Sequence, residues 1–284
     1  MKKIPMMRKM RIALIMLMSV ASLKADDCCP SLCNLFTCGD WAYQTRIGVY
    51  PTIWRSRGDV FLNTCDCTTS TAVTGSDLGE LPKFSKFYKL PWIVGTQIQY
   101  SWWDCATLYG ELNYFQASRK KTPQNTLSAI NSQLAILLGT YRGISGYVGL
   151  RYNFSGACFC DNVLFFVGAK IGFIYRQNIL AHQVTVAPSL APSCACPSPF
   201  KRDFLKHGAR ISGGGNIGLE YLWCDRWSLV LTGEVVVSGG PKGNACVPLT
   251  DQEIVQLAGG ANLEVQKIKT EISFPVTLGL KYDF

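Results

Sequence analysis

Histidine is nearly absent. His182 and His207 are the only two in 284 residues. Hydrolysis or acyl transfer commonly needs a His base beside a Ser or Asp nucleophile. Here both histidines sit in one predicted loop, with Ser189, Ser193 and Ser198 nearby. The chain is therefore read as non-enzymatic, with no catalytic residue and no cofactor. The same scarcity argues against a metal site, since no Cys-x-x-Cys pair faces a partner at zinc spacing. Long apolar runs are also missing after the N-terminus, so no segment approaches the roughly 20 residues of a spanning helix. Charge is sparse, at 17% of residues, while 48% are hydrophobic and 12% aromatic. If such a chain enters a membrane, closed β-structure is the remaining way to satisfy its backbone in lipid.

The basic balance of +9 is mostly local. Lys2, Lys3, Arg8, Lys9 and Arg11 precede an apolar run from Ile12 to Val20, and small residues follow. That pattern predicts a secretory signal peptide over residues 1–25, with cleavage after Ala25 or Ala21. No lipid-attachment box is visible, because Asp27 precedes Cys28. Six of the 28 Lys and Arg lie at or before Lys24, leaving 22 against 19 acidic residues. The mature balance of about +3 gives no reason to expect nucleic acid.

What is abundant is period-two alternation. In "EISFPVTLGLKYDF", from Glu271 to Phe284, every second residue is apolar. Seven further segments alternate: Trp41–Trp54, Trp92–Trp103, Ala106–Ser118, Ile144–Phe154, Asn162–Arg176, Arg210–Trp223 and Trp227–Ser238. Each is long enough to cross a bilayer as a tilted strand. Three connections are short: 104–105, 155–161 and 224–226. Four are long: 55–91, 119–143, 177–209 and 239–270. Short turns at one end and long loops at the other predict an all-β, eight-stranded antiparallel transmembrane outer-membrane β-barrel, residues 41–284. Its short turns would be periplasmic and its four long loops external. Residues 26–40 form a cysteine-rich periplasmic segment ahead of it.

Setting each strand by its apolar positions leaves the outward face free of charge. The opposite face holds Arg46, Glu111, Arg151, Lys170, Arg176, Arg210, Glu220, Glu234 and Lys281, predicted to form a charge network in the lumen. Eight strands enclose a space that side chains nearly fill, so ion pairs are expected there rather than an open channel. Trp41, Trp102, Trp103, Trp223, Trp227, Tyr152 and Tyr282 lie near the short turns or the chain ends, as an interfacial girdle would. "GGGNIG" (Gly213–Gly218) fits a dinucleotide pattern but lies inside a strand, so small residues beneath an aromatic explain it better. Asn125–Leu138 and Thr250–Ala258 read as short helices in the second and fourth loops.

All thirteen cysteines follow the signal: Cys28, Cys29, Cys33, Cys38, Cys65, Cys67, Cys105, Cys158, Cys160, Cys194, Cys196, Cys224 and Cys246. Cys28, Cys29, Cys33, Cys38, Cys105, Cys158, Cys160 and Cys224 fall on the short-turn side. The other five fall in the long loops. An exported chain can keep disulfides, and the odd total leaves at least one thiol for another chain or for none. The expected partners are outer-membrane lipids and, through cysteine, copies of this chain or other cysteine-rich envelope proteins.

"CCPSLCNLFTCGDWAYQTRIGVYP" and "WWDCATLYGELNYFQ" resemble the cysteine-rich major outer membrane proteins of the Chlamydiae. The shared features are a cysteine cluster before a first strand with Arg46-Ile47-Gly48-Val49-Tyr50, and a turn from Trp103 to Gly110. A similar layout occurs in the Legionella-type pore-forming outer membrane proteins. The resemblance implies a porin whose cysteines cross-link the envelope, though the family barrels are larger. Tyr282 and Phe284 resemble the C-terminal signature of bacterial outer-membrane barrels, which implies recognition by the barrel assembly machinery.

Overall fold

The computed structural model describes residues 40–55, 57, 59–65, 72–103, 106–121, 124–125, 134–155, 162–186, 203–206, 208–224, 226–243, 247–248 and 261–284. The expected signal peptide and nearly all of the cysteine-rich segment lie outside them, as do all the cysteines except Cys65 and Cys224.

Eight strands form a closed antiparallel ring. The first is Trp41–Val49, resumed as Thr52–Arg55. The second to seventh are Trp92–Trp103, Ala106–Ala117, Tyr141–Ser155, Val163–Arg176, Gly208–Cys224 and Trp227–Gly239. The eighth is Thr270–Ser273, resumed as Val276–Asp283. Each pairs with its sequence neighbour, and the eighth pairs with the first from Ala42↔Asp283 to Val49↔Val276 and again at Thr52↔Ser273. Ring closure removes both sheet edges.

The first and eighth strands were expected to be continuous, and the structure corrects this. Both break at a proline, Pro51 and Pro275, because proline has no N–H for the ladder. The two breaks face each other across the seam. Phe274 donates its N–H to the Pro51 carbonyl at 2.8 Å, and Glu234 donates to the Pro275 carbonyl at 2.9 Å. The interruption therefore loses little hydrogen bonding.

The second-loop helix expected over Asn125–Leu138 is also corrected where it is described. Leu134–Leu138 is a strand paired with Ile179–Val186, and Gln124–Asn125 pairs with it in turn. The apolar residues keep a helical spacing, but pairing with Ile179–Val186, far along the chain, overrides it. The Thr250–Ala258 expectation falls outside the described residues. All four long loops contribute to two further sheets beyond the barrel. One unites Gln124–Asn125, Leu134–Leu138, Ile179–Val186, Asp203–Lys206 and Lys242–Gly243. The other unites Asp59–Cys65, Ala72–Glu80, Val247–Pro248 and Ala261–Val265.

Polarity is inverted relative to a soluble protein. Ile47, Ile98, Leu112, Val148, Ile171, Ile217 and Leu278 are exposed on the outside, while charged and amide side chains are buried within. Trp41, Trp223, Trp227 and Tyr152 are exposed toward the short-turn end. Small inward residues make room for large ones. A Cβ at Gly149 would run into the Tyr109 ring, and one at Gly218 into the Phe166 ring, which accounts for part of the glycine-rich stretch.

Candidate functional site

The lumen is filled in three polar tiers. In the middle, Arg46 of the first strand lies between Glu111 of the third and Glu234 of the seventh. Its Nη1 donates to Glu234 Oε1 at 2.8 Å, and its Nε and Nη2 donate to Asn113 Oδ1 at 2.9 and 2.6 Å. Arg46 also pairs with Glu111. Lys170 of the fifth strand donates to Glu111 Oε1 at 2.9 Å and Glu234 Oε2 at 2.6 Å. Its ammonium stands 4.4 Å from the centre of the Tyr147 ring. Two cations thus meet two carboxylates, each side chain nearly inaccessible to solvent. Balance of this kind is what buried charge requires.

Toward the short turns, Glu220 joins Arg151 (Nη2–Oε2 3.0 Å) and Lys281 (Nζ–Oε1 2.7 Å). Lys281 also reaches Asp283 at 2.9 Å, and the Arg151 guanidinium lies over the Phe166 ring. Toward the long loops, Arg176 Nη2 donates to Glu271 Oε1 at 2.6 Å and to Ser238 Oγ at 2.7 Å. The Tyr141 hydroxyl and the Trp54 indole N–H donate to the same carboxylate.

Above the last tier the mouth is stoppered by apolar side chains. Tyr50 stacks on Phe115 at 4.7 Å between ring centres, and Trp54 meets Phe84 edge-on at 5.1 Å. Phe84 and Phe87 come from a single helical turn, Phe84–Phe87, in the first loop. Leu138, Ile179, Phe204, Leu205 and Ile268 from the other loops complete the cluster, all fully buried. Among the described residues these side chains bury one another across the mouth.

The structure brings together Arg46, Glu111, Arg151, Lys170, Arg176, Glu220, Glu234 and Lys281, as the alternation predicts. Arg210 is different. It stands at the outer end of the sixth strand, part-exposed, and its Nη1 approaches the Ala209 carbonyl at 3.4 Å. Among the described residues it enters none of the three tiers. Sequence reading missed Glu271, which alternation alone would have placed inward but which stood at the edge of its strand. It also missed the apolar mouth. The available signal was adjacent aromatics on both parities, as in Tyr114-Phe115. Cys224 is an exposed free thiol at the short-turn end of the sixth strand.

An apolar exterior around a charged interior suits a lipid solvent, and closed barrels are how β-structure satisfies it. The protein is a transmembrane β-barrel. No protein-family model matches the chain, and no curated protein matches it. Among solved structures, neisserial surface protein A is 11% identical, covering 86% of this chain and 97% of that one, at a TM-score of 0.41. OprG of Pseudomonas aeruginosa is 10% identical over 88% and 99%, at 0.41. Ail, the attachment invasion locus protein of Yersinia pestis, is 8% identical over 87% and 100%, at 0.33. Likeness of this degree leaves function to be argued from the barrel itself.

Proposed function

We propose that this barrel is an occluded, non-enzymatic component of a cysteine-rich outer membrane, one that stabilises the envelope and does not conduct solutes. The observation that carries this is the filled lumen: three ion-paired tiers beneath an apolar stopper. The resemblance of the cysteine-bearing segments to the chlamydial major outer membrane proteins supports a cross-linking role, and the exposed Cys224 thiol supplies one reactive end on the short-turn side. Short turns are periplasmic in such barrels, which sets the long loops outside. Phe284 donates its N–H to the Trp41 carbonyl at the seam; its ring is proposed as a contact for the barrel assembly machinery, so that Phe284→Ser should lower membrane insertion.

Planar-bilayer recording of refolded protein, paired with non-reducing gels of whole envelopes, tests the reading. The expected result is no steady conductance together with thiol-sensitive oligomers. Large stable channels from the monomer would overturn occlusion, and envelopes without such oligomers would remove the cross-linking role. A surface-binding role is the second reading, favoured by the two loop sheets, which build an ordered platform beyond the membrane where a barrel alone needs none.

A further inference from the structure

Among the described residues, the exterior carries a groove with a polar end. It lies between the fifth to eighth strands, holds about 350 Å³, and is floored by Gly213 and Gly239 between walls of Ile171, Ile211 and Val237. Lys269 lines its outer end. Arg210 does not itself line the groove, but its stem adjoins it: a Cβ on Gly239 would lie 3.5 Å from Arg210 Cδ. Arg55 stands on the first strand as the register partner of Thr270, which also lines the groove. Among the described residues of 208–212, 235–242 and 266–273, Glu271 is the only carboxylate. It faces inward and is paired with Arg176. The cations at the groove therefore have no acidic neighbour on these segments, at the level where strands leave the membrane.

The geometry points to a specific lipid site: an outer-leaflet lipid with its phosphate against Arg210 and Lys269 and one acyl chain along the glycine-floored groove. Charge complementarity selects the occupant. A neutral lipid would leave the cations unmatched, and a second barrel would bring its own cations to the same place. Guanidinium and ammonium groups at a membrane surface are the usual phosphate ligands. The missing side chains at Gly213 and Gly239 give an acyl chain direct contact with the sheet. The site explains why Arg210 departs from the lumen network. The inference rests on the long loops facing the outer leaflet, but its test does not depend on orientation.

The experiment uses the refolded protein in phosphatidylcholine nanodiscs, titrated with bisphosphorylated lipid A and, separately, with its dephosphorylated form. Native mass spectrometry counts retained lipid. The wild type should retain the phosphorylated form preferentially. Each cation near an anionic surface strengthens binding roughly fivefold, so Arg210→Gln with Lys269→Gln should weaken it about 25-fold. Lys83→Gln with Lys86→Gln removes equal charge from the exposed loop helix and should leave retention unchanged. Gly239→Leu, whose Cβ would meet only the flexible Arg210 stem, fills the groove and should reduce retention even if the double variant fails to fold. Equal retention of both lipid forms, equal loss in the Lys83/Lys86 control, or a protein dimer in place of a lipid adduct would each overturn the site.

Discussion

Arg46 and Lys170 share the carboxylate of Glu234, one on each oxygen, at 2.8 and 2.6 Å. Neutralising that carboxylate leaves two buried cations with a single remaining anion, Glu111. Glu234→Gln should therefore cost about 3–5 kcal/mol of barrel stability. Urea unfolding in lipid vesicles, followed by heat-modifiable gel mobility, measures it. A change within experimental error would mean that water already reaches this tier.

The same substitution bears on conduction. With one cation released and the stopper thinned as well, Glu234→Gln combined with Phe84→Ala and Phe87→Ala should pass small, anion-preferring currents where the wild type passes none. Phe84→Ala with Phe87→Ala, which thins the stopper alone, should stay closed because the three ion-paired tiers persist. Single-channel recording of the three proteins side by side separates stopper from tiers.

The exterior makes an independent prediction. Leu112→Arg puts a charge on the lipid face near mid-strand and should destabilise by about 2–4 kcal/mol. Trp223→Arg, at the short-turn interface, should cost about 0–1 kcal/mol. Equal penalties at the two sites would contradict the depth assignment.

Tryptophan depth can be read directly. Trp41, Trp223 and Trp227 are exposed, whereas Trp54 is buried against Glu271. In single-tryptophan variants, lipids brominated near the headgroup should quench the first three and leave Trp54 unquenched.

Cys224 tests orientation. An impermeant maleimide should fail to label it on intact cells after reduction and should label it once the outer membrane is permeabilised. Labelling of Cys224 itself on intact cells would invert the barrel.

The eight strands were legible because a lipid exterior and a charged interior force strict alternation over long stretches, and strand ends fall within a few residues of that pattern. The lumen residues followed from parity alone. Parity fails where the membrane ends. Arg210 has inward parity but sits beyond the last polar tier, where its long side chain reaches the outside. Tyr50, Phe115 and Tyr141 also have inward parity but meet loop residues rather than charges, so apolar side chains replace polar ones there. Leu134–Leu138 was read as helix because its strand partner, in Ile179–Val186, is more than a loop away and no local period announces it. Non-local pairing leaves no trace in a short window.

The stopper at the mouth has a consequence for the order in which the molecule is made. Its members come from all four long loops, and the polar contacts beneath it span great lengths of chain: 217 residues between Trp54 and Glu271, 130 between Tyr141 and Glu271. Closing such spans is the most entropically demanding step of assembly and follows the local hairpins. The seam closes a longer span still, from Ala42 to Asp283. Closing the ring and sealing its mouth therefore both wait on the hairpins, and the loops that present the outer surface are tied down in the same late stage.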